Sequence, residues 1–310
     1  MNLKDLKNSN VLVSIYIDNL QNKEVLEETF FSISKQTHAV DLLVCHSLTG
    51  EELATLTEML ENPKISIRKS VEGKLVEEIS ESNVKINYFL QEFNPKTFSY
   101  VFNNLFNVAL ENGYEFFSIV EKFDIVGLHW FNNVNIYQEE NPDISMFFPI
   151  IRNTVNGVFS NLMNEAPWAE GLAEEAGKLD LNLLSRFNCM SPLGAAFRTS
   201  MIKKYSEEIE GVFYPFKQSF RLSHYYEFLM RMIYNDLKGM CIPRIGYEYR
   251  TKTVDTFKEC FCKIPENLTS IPEEHGGITP HEAQFWLDLS KKEYFFDVER
   301  KDKVYVKPTV

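Results

Sequence analysis

Residues 11–46 read VLVSIYIDNLQNKEVLEETFFSISKQTHAVDLLVCH. Val11–Ile17 is a continuous apolar run rich in β-branched residues, the pattern of a strand buried on both faces. Asp18–Lys23 is a polar turn. Val25–Thr37 then places Leu26, Phe30 and Ile33 at helical spacing, with Glu in the first turn, where negative charge suits the helix dipole. Asp41–His46 is a second strand, Glu51–Glu61 a second amphipathic helix and Ile65–Lys69 a third strand. Strand, helix, strand, helix, strand is the alternation of a parallel sheet covered by helices.

The pattern continues outward from there. Val71–Ser82 is charged and reads as loop or helix. Phe98–Gly113 reads as a helix closed by Gly113 at the position after its C-cap. Tyr114–Val120 is a strand, and Glu121-Lys122-Phe123-Asp124 follows it directly. Ligands of open α/β sheets bind outside the carboxyl ends of the strands, so this acidic segment stands where chemistry is expected. Leu128–Glu140 reads as helix, Ile144–Ile151 as strand, and residues 153–185 as an irregular insertion with short helices. Gly194–Arg198 is strand-like and Thr199–Ile209 helical. Ser223–Asn235 is a periodic helix with Ser223 as N-cap. Gly239–Tyr249 is extended, with Pro243 arguing for an edge position.

Beyond Arg250 the chain turns loop-rich, until Thr279, Pro280 and Glu282 form a capping box that opens a helix to about Tyr294. The expected organisation is one α/β domain over residues 1–250 and an appendage, helical and irregular, over residues 251–310 packed on it.

Composition narrows the function classes. The chain has 310 residues and a formal net charge of −12, with no basic stripe of the kind nucleic-acid binding requires. Met1–Asn10 is polar and no apolar signal region follows it. No apolar run reaches the roughly 18 residues of a transmembrane helix. The five cysteines are odd in number, and the close pair, Cys260 and Cys262, lacks the second pair that a zinc site wants. Reduced thiols and a cytoplasmic location are the expectation.

Three stretches carry a further signal when taken in order. The first is the strand–helix–strand opening with Ser32-Ile33 and Gln36-Thr37. The second is NNLFNVALENGYEFFSIVEKFD over Asn103–Asp124, with Asn107, Ala109, Gly113 and Tyr114 in register. The third is HYYEFLMRM followed by CIPRIGYEYR, with Arg231, Pro243, Tyr247 and Arg250. Together, over Val11–Arg250, they resemble the family 2 nucleotide-sugar glycosyltransferases. The resemblance implies a GT-A-like (Rossmann-like) fold: a mostly parallel central sheet flanked by helices. It also implies transfer of a sugar from a nucleotide-diphosphate donor to a glycan or protein acceptor.

The resemblance also places three acidic stations. The first, at the end of the second strand, commonly holds an Asp against the nucleotide; here it reads Cys45-His46-Ser47, and His46 is the residue left to meet a base. With Asp18 and Arg250 it makes up the candidate donor contacts, Arg250 toward phosphate. The second holds a divalent metal, Mg²⁺ or Mn²⁺. Glu121 and Asp124 are its candidate ligands, Phe123 replaces the usual Asp, and Lys122 supplies part of the missing charge. The third is the general base. His224-Tyr225 occupies the place of the family's acidic pair, Glu227 lies one turn on, and His224 and Glu227 are the catalytic candidates. All three stations depart from the family pattern. Two readings therefore stay open: an active transferase, or a catalytically silent relative serving as a binding or structural subunit of an assembly.

Overall fold

The computed structural model describes residues 7–61, 64–71, 74–81, 87–93, 98–186, 189–217 and 224–251. The chain opens β1 (Val11–Ile17), α1 (Lys23–Ser34), β2 (Asp41–His46) and α2 (Gly50–Glu61), as the alternation predicts. A hairpin of β3 (Lys64–Val71) and β4 (Lys74–Glu81) forms its own two-stranded antiparallel sheet. The third strand read at Ile65–Lys69 thus exists but lies outside the central sheet, and the charged stretch after it is strand rather than loop or helix. The strand that joins β2 in parallel is β5 (Asn87–Glu92).

Then come α3 (Phe98–Glu111), β6 (Phe116–Val120), the short β7 (Ile125–Val126), α4 (Trp130–Glu140) and β8 (Ile144–Val155). Gly113 takes φ +70°, the left-handed geometry that ends a helix at little cost only for glycine. β8 overruns its expected end and turns at Asn156-Gly157 into β9 (Val158–Met163), so the insertion begins as a hairpin. After β10 (Lys178–Leu179) and α5 (Leu181–Arg186) follow β11 (Ala196–Arg198) and α6 (Thr199–Lys204). A second small hairpin, β12 (Glu207–Ile209) and β13 (Val212–Tyr214), replaces the expected end of that helix. Its turn, Glu210-Gly211, has φ of 51° and 82°, the geometry of a tight two-residue hairpin loop. The last elements are α7 (His224–Tyr234) and β14 (Lys238–Thr251).

The central sheet has the order β10-β14-β8-β11-β6-β1-β2-β5. β5, β2, β1 and β6 run parallel, and β14 runs parallel to β8; β11 is antiparallel to both β6 and β8. β5, β2, β1, β6, β8 and β14 therefore point one way, with β9 antiparallel to β8. β14 lies inside the order, but β10 flanks it only at Gly239 and Met240 and β7 only at Tyr247 and Glu248, so at Pro243 it has a strand on one side alone, as an edge position requires. Pro243 is accommodated there because the β14–β8 register shifts between Ile242 and Ile245, a bulge that needs no proline N–H.

Period-two alternation divides the core into two layers. Val11, Val13, Ile15 and Ile17 of β1 and Leu42 and Val44 of β2 pack with Leu26, Phe30 and Ile33 of α1, with α2, and with Trp130, Phe131 and Val134 of α4. Leu12, Leu43, Phe117 and Phe148 face the other way, against α3, α5, α6 and α7. The second layer is aromatic: Phe197 stands 5.2 Å from Phe117 and 5.7 Å from Phe228, whose ring meets Phe216 at 4.5 Å. Burying each such side chain contributes about 1.5–3 kcal/mol, which makes these rings the main glue between sheet and α7.

The expected appendage, its capping box at Thr279–Glu282 and the Cys260/Cys262 pair lie outside the described residues. Among the described residues no helix is long and apolar enough to cross a membrane.

Candidate functional site

From β1 the chain steps to β2 and β5 on one side, then returns to place β6 on the other. The β1/β6 boundary is thus the topological switch point, and the crevice outside its carboxyl ends is where open α/β sheets bind ligands. Asp18 follows β1 there, and the turn Glu121–Asp124 follows β6. Lys122 forms an ion pair with Asp18, linking the segments that follow β6 and β1, and its ammonium lies 5.2 Å from the centre of the Phe123 ring.

β14 builds the floor of this turn. The Tyr247 hydroxyl donates to Asp124 Oδ2 at 2.7 Å and accepts the Glu121 N–H at 3.0 Å. Asp124 Oδ1 accepts the Arg250 N–H at 2.9 Å. The Arg250 guanidinium binds Glu28 of α1 and, at 3.0 Å, Glu248. Glycines let these rings approach. A Cβ on Gly194 (φ +68°) would lie 2.4 Å from the Tyr247 ring, and one on Gly246 would lie 2.4 Å from Trp130. Trp130 Nε1 in turn donates to the Gly194 carbonyl at 2.6 Å.

α1 braces the turn from the other side. Thr29 Oγ1 donates to the Lys122 carbonyl at 3.4 Å, Ser32 Oγ accepts the Val126 N–H at 3.1 Å, and Gln36 Nε2 donates to the Gly127 carbonyl at 2.8 Å. Ser32 and Gln36, which stood out in the sequence, therefore position the segment after β6.

Electrostatics separates the two acids. Burial pushes the Glu121 carboxyl up to about 7; Lys122 pulls it down and Asp18 pushes it further up. Glu121 keeps a partial opening at the surface although protein packs closely around it. Asp124 is 1% exposed. Burial raises its pKa well above the usual carboxylate range, against the pull of the Arg250 N–H and the Tyr247 hydroxyl. Tyr225 of α7, buried nearby, is raised by burial and then by the charge of Glu121.

The structure thus joins Asp18, Glu121, Asp124 and Arg250 into one network with Lys122. The other candidates are held by other partners. Glu227, 0% exposed, is bound by Arg231 Nε at 2.8 Å and Lys217 Nζ at 3.1 Å. Arg231 also donates to the Tyr205 and Pro215 carbonyls, so this buried ion cluster stitches α7 to the segments around β12 and β13. His224 is buried among rings, 6.3 Å from Phe102, 6.2 Å from Phe216 and 4.3 Å from Tyr225. His46 ends β2, one strand from Ile17, and its Nδ1 is buried without a hydrogen-bond partner. Sequence reading missed Tyr247 as the organiser of the turn; an aromatic residue three before Arg250 was the available signal.

The divalent ion that the resemblance implies would need free oxygen donors at Glu121 and Asp124. Both Asp124 oxygens are engaged inside the protein, an ammonium follows Glu121, and among the described residues no three His, Cys, Asp or Glu side chains are grouped to hold a metal. This donor set does not fit a metal held by the protein.

No family model and no curated protein matches the chain. Solved structures do. The 1–349 form of S. aureus TarS in complex with UDP-GlcNAc is 13% identical, with a TM-score of 0.54 over 94% of this chain and 74% of that one. The same form with UDP is 15% identical, with a TM-score of 0.51 over 96% and 75%. Against a longer S. aureus TarS structure the identity is 15% and the TM-score 0.51, and the match spans 44% of that chain. At this identity the likeness speaks for architecture: the chain has a GT-A-like α/β fold, similar to that of TarS.

Proposed function

We propose that this chain binds a nucleotide-diphosphate sugar in the crevice between β1 and β6 and transfers the sugar to a hydroxyl of a glycan or protein acceptor. The observation that carries this reading is the convergence of Asp18, Glu121 and Lys122 at the switch point of a fold similar to that of TarS, whose structures hold UDP-GlcNAc and UDP. Glu121 is the carboxyl suited to accept the acceptor's proton, because a group titrating near pH 7 is matched to general-base work at neutral pH. His46, at the end of β2 beside Ile17, is the candidate contact to the base, as the resemblance implies. Arg250 acts from below, holding Asp124 and the turn. No step is routed through a metal.

A second reading, a binding subunit without turnover, is favoured by one observation: Glu227 is locked in an ion cluster and His224 in an aromatic stack, so neither is presented as a base. Titration calorimetry of the full chain with UDP-GlcNAc and UDP, followed by a sugar-release assay, decides between them. The transferase reading expects saturable binding and release that falls at least about 100-fold in Glu121→Gln. Binding without release supports the second reading. No binding up to about 1 mM sinks both.

A further inference from the structure

Lys122 combines features that its neighbours lack. Its backbone is fixed by Thr29 and by the β6 strand end, whereas its ammonium is held by one carboxylate, Asp18, whose side chain is 49% exposed. An ion pair of that exposure is weak, because water solvates the released carboxylate almost as well. The Lys122 side chain itself is only 20% exposed, and its ammonium lies against the Phe123 ring and Asp18, in the segments that follow β6 and β1. The other cation of the network, Arg250, is committed to Glu28 and Glu248.

We infer that Lys122 is the diphosphate contact of the site, with Asp18 as an exchangeable counter-ion, so that the nucleotide is held without a divalent metal. This rests on the nucleotide reading above. The incoming phosphate oxygens replace the Asp18 carboxylate on the ammonium, exchanging a solvated pair for a charge-assisted contact in a partly enclosed crevice. Arginine in place of Lys122 keeps the charge; methionine keeps the stem and removes it.

The test is UDP titration of the full chain with EDTA, repeated with Mn²⁺ and with Mg²⁺, for the native protein, Lys122→Met and Lys122→Arg. The expected result is equal affinity with and without metal, loss of about tenfold or more in Lys122→Met, and near-native binding in Lys122→Arg. Thermal melts of both variants check that each is folded. UDP binding that needs Mn²⁺ or Mg²⁺, or that is native-like in folded Lys122→Met, overturns the inference and leaves the nucleotide reading standing. Absence of UDP binding in every buffer overturns both.

Discussion

Tyr247 donates its hydroxyl proton to Asp124 Oδ2 at 2.7 Å, across 123 residues of sequence. The Tyr247 hydroxyl oxygen also accepts the Glu121 N–H at 3.0 Å. One hydroxyl thus fixes both ends of the turn that closes β6. Tyr247→Phe removes that oxygen and leaves a buried carboxylate oxygen and a backbone N–H without their partner. Each costs about 1–3 kcal/mol, so urea denaturation should show a loss of roughly 2–6 kcal/mol. An unchanged midpoint would mean that the turn is held by α1 alone.

Glu121 and Asp124 make stability depend on pH. Their folded pKa values are raised, so the native state holds more protons than the unfolded chain between the ordinary carboxylate range and, for Glu121, about 7. Stability therefore falls as pH rises through that window. The melting temperature should decline from pH 5 to pH 8, and Glu121→Gln should flatten the decline and melt above the native protein at pH 8. A native melting temperature that rises over that range contradicts the assignment.

Gly194 and Gly246 are predicted to reject a methyl group. Gly194→Ala meets the Tyr247 ring at 2.4 Å from a backbone at φ +68°, and Gly246→Ala meets Trp130 at the same distance. Overpacking of this kind costs about 1–3 kcal/mol, and the left-handed backbone at Gly194 adds about 1 kcal/mol or more. Chemical denaturation of both variants checks the order, with Gly194→Ala the worse.

Glu227 separates a structural from a catalytic role. Removing one partner of a buried ion pair costs about 3–5 kcal/mol. Glu227→Gln should therefore lower stability by that order, whereas Glu121→Gln should leave the protein folded and lower sugar release. A stable Glu227→Gln protein that has lost only turnover would return Glu227 to the role of base.

The parts of the fold legible in the sequence were those fixed by local pattern. VLVSIYI and DLLVCH are apolar on both faces because helices cover both faces of their sheet. The other hairpin strands escaped for the opposite reason. Lys74–Glu81 and Glu207–Ile209 are rich in charge, and strands outside the central sheet need no continuous apolar run, whereas Ile65–Lys69 was legible as a strand. Asp18, Glu121, Asp124 and Arg250 were named from the family resemblance together with their places after strands, and the fold links them through Lys122 and Tyr247. The partners that define them, Tyr247 for Asp124 and Glu28 for Arg250, lie more than 100 residues away, where no local pattern reaches. Glu227 and Arg231 are different: four residues apart on a helix, their pairing was open to reading from spacing alone.

A crystal structure of the chain grown with UDP decides whether the nucleotide sits at the β1/β6 switch point. The nucleotide is predicted outside the carboxyl ends of β1 and β6, with its diphosphate on the Lys122 ammonium and Asp18 displaced. UDP bound elsewhere on the molecule, with the Lys122–Asp18 pair intact, would contradict it.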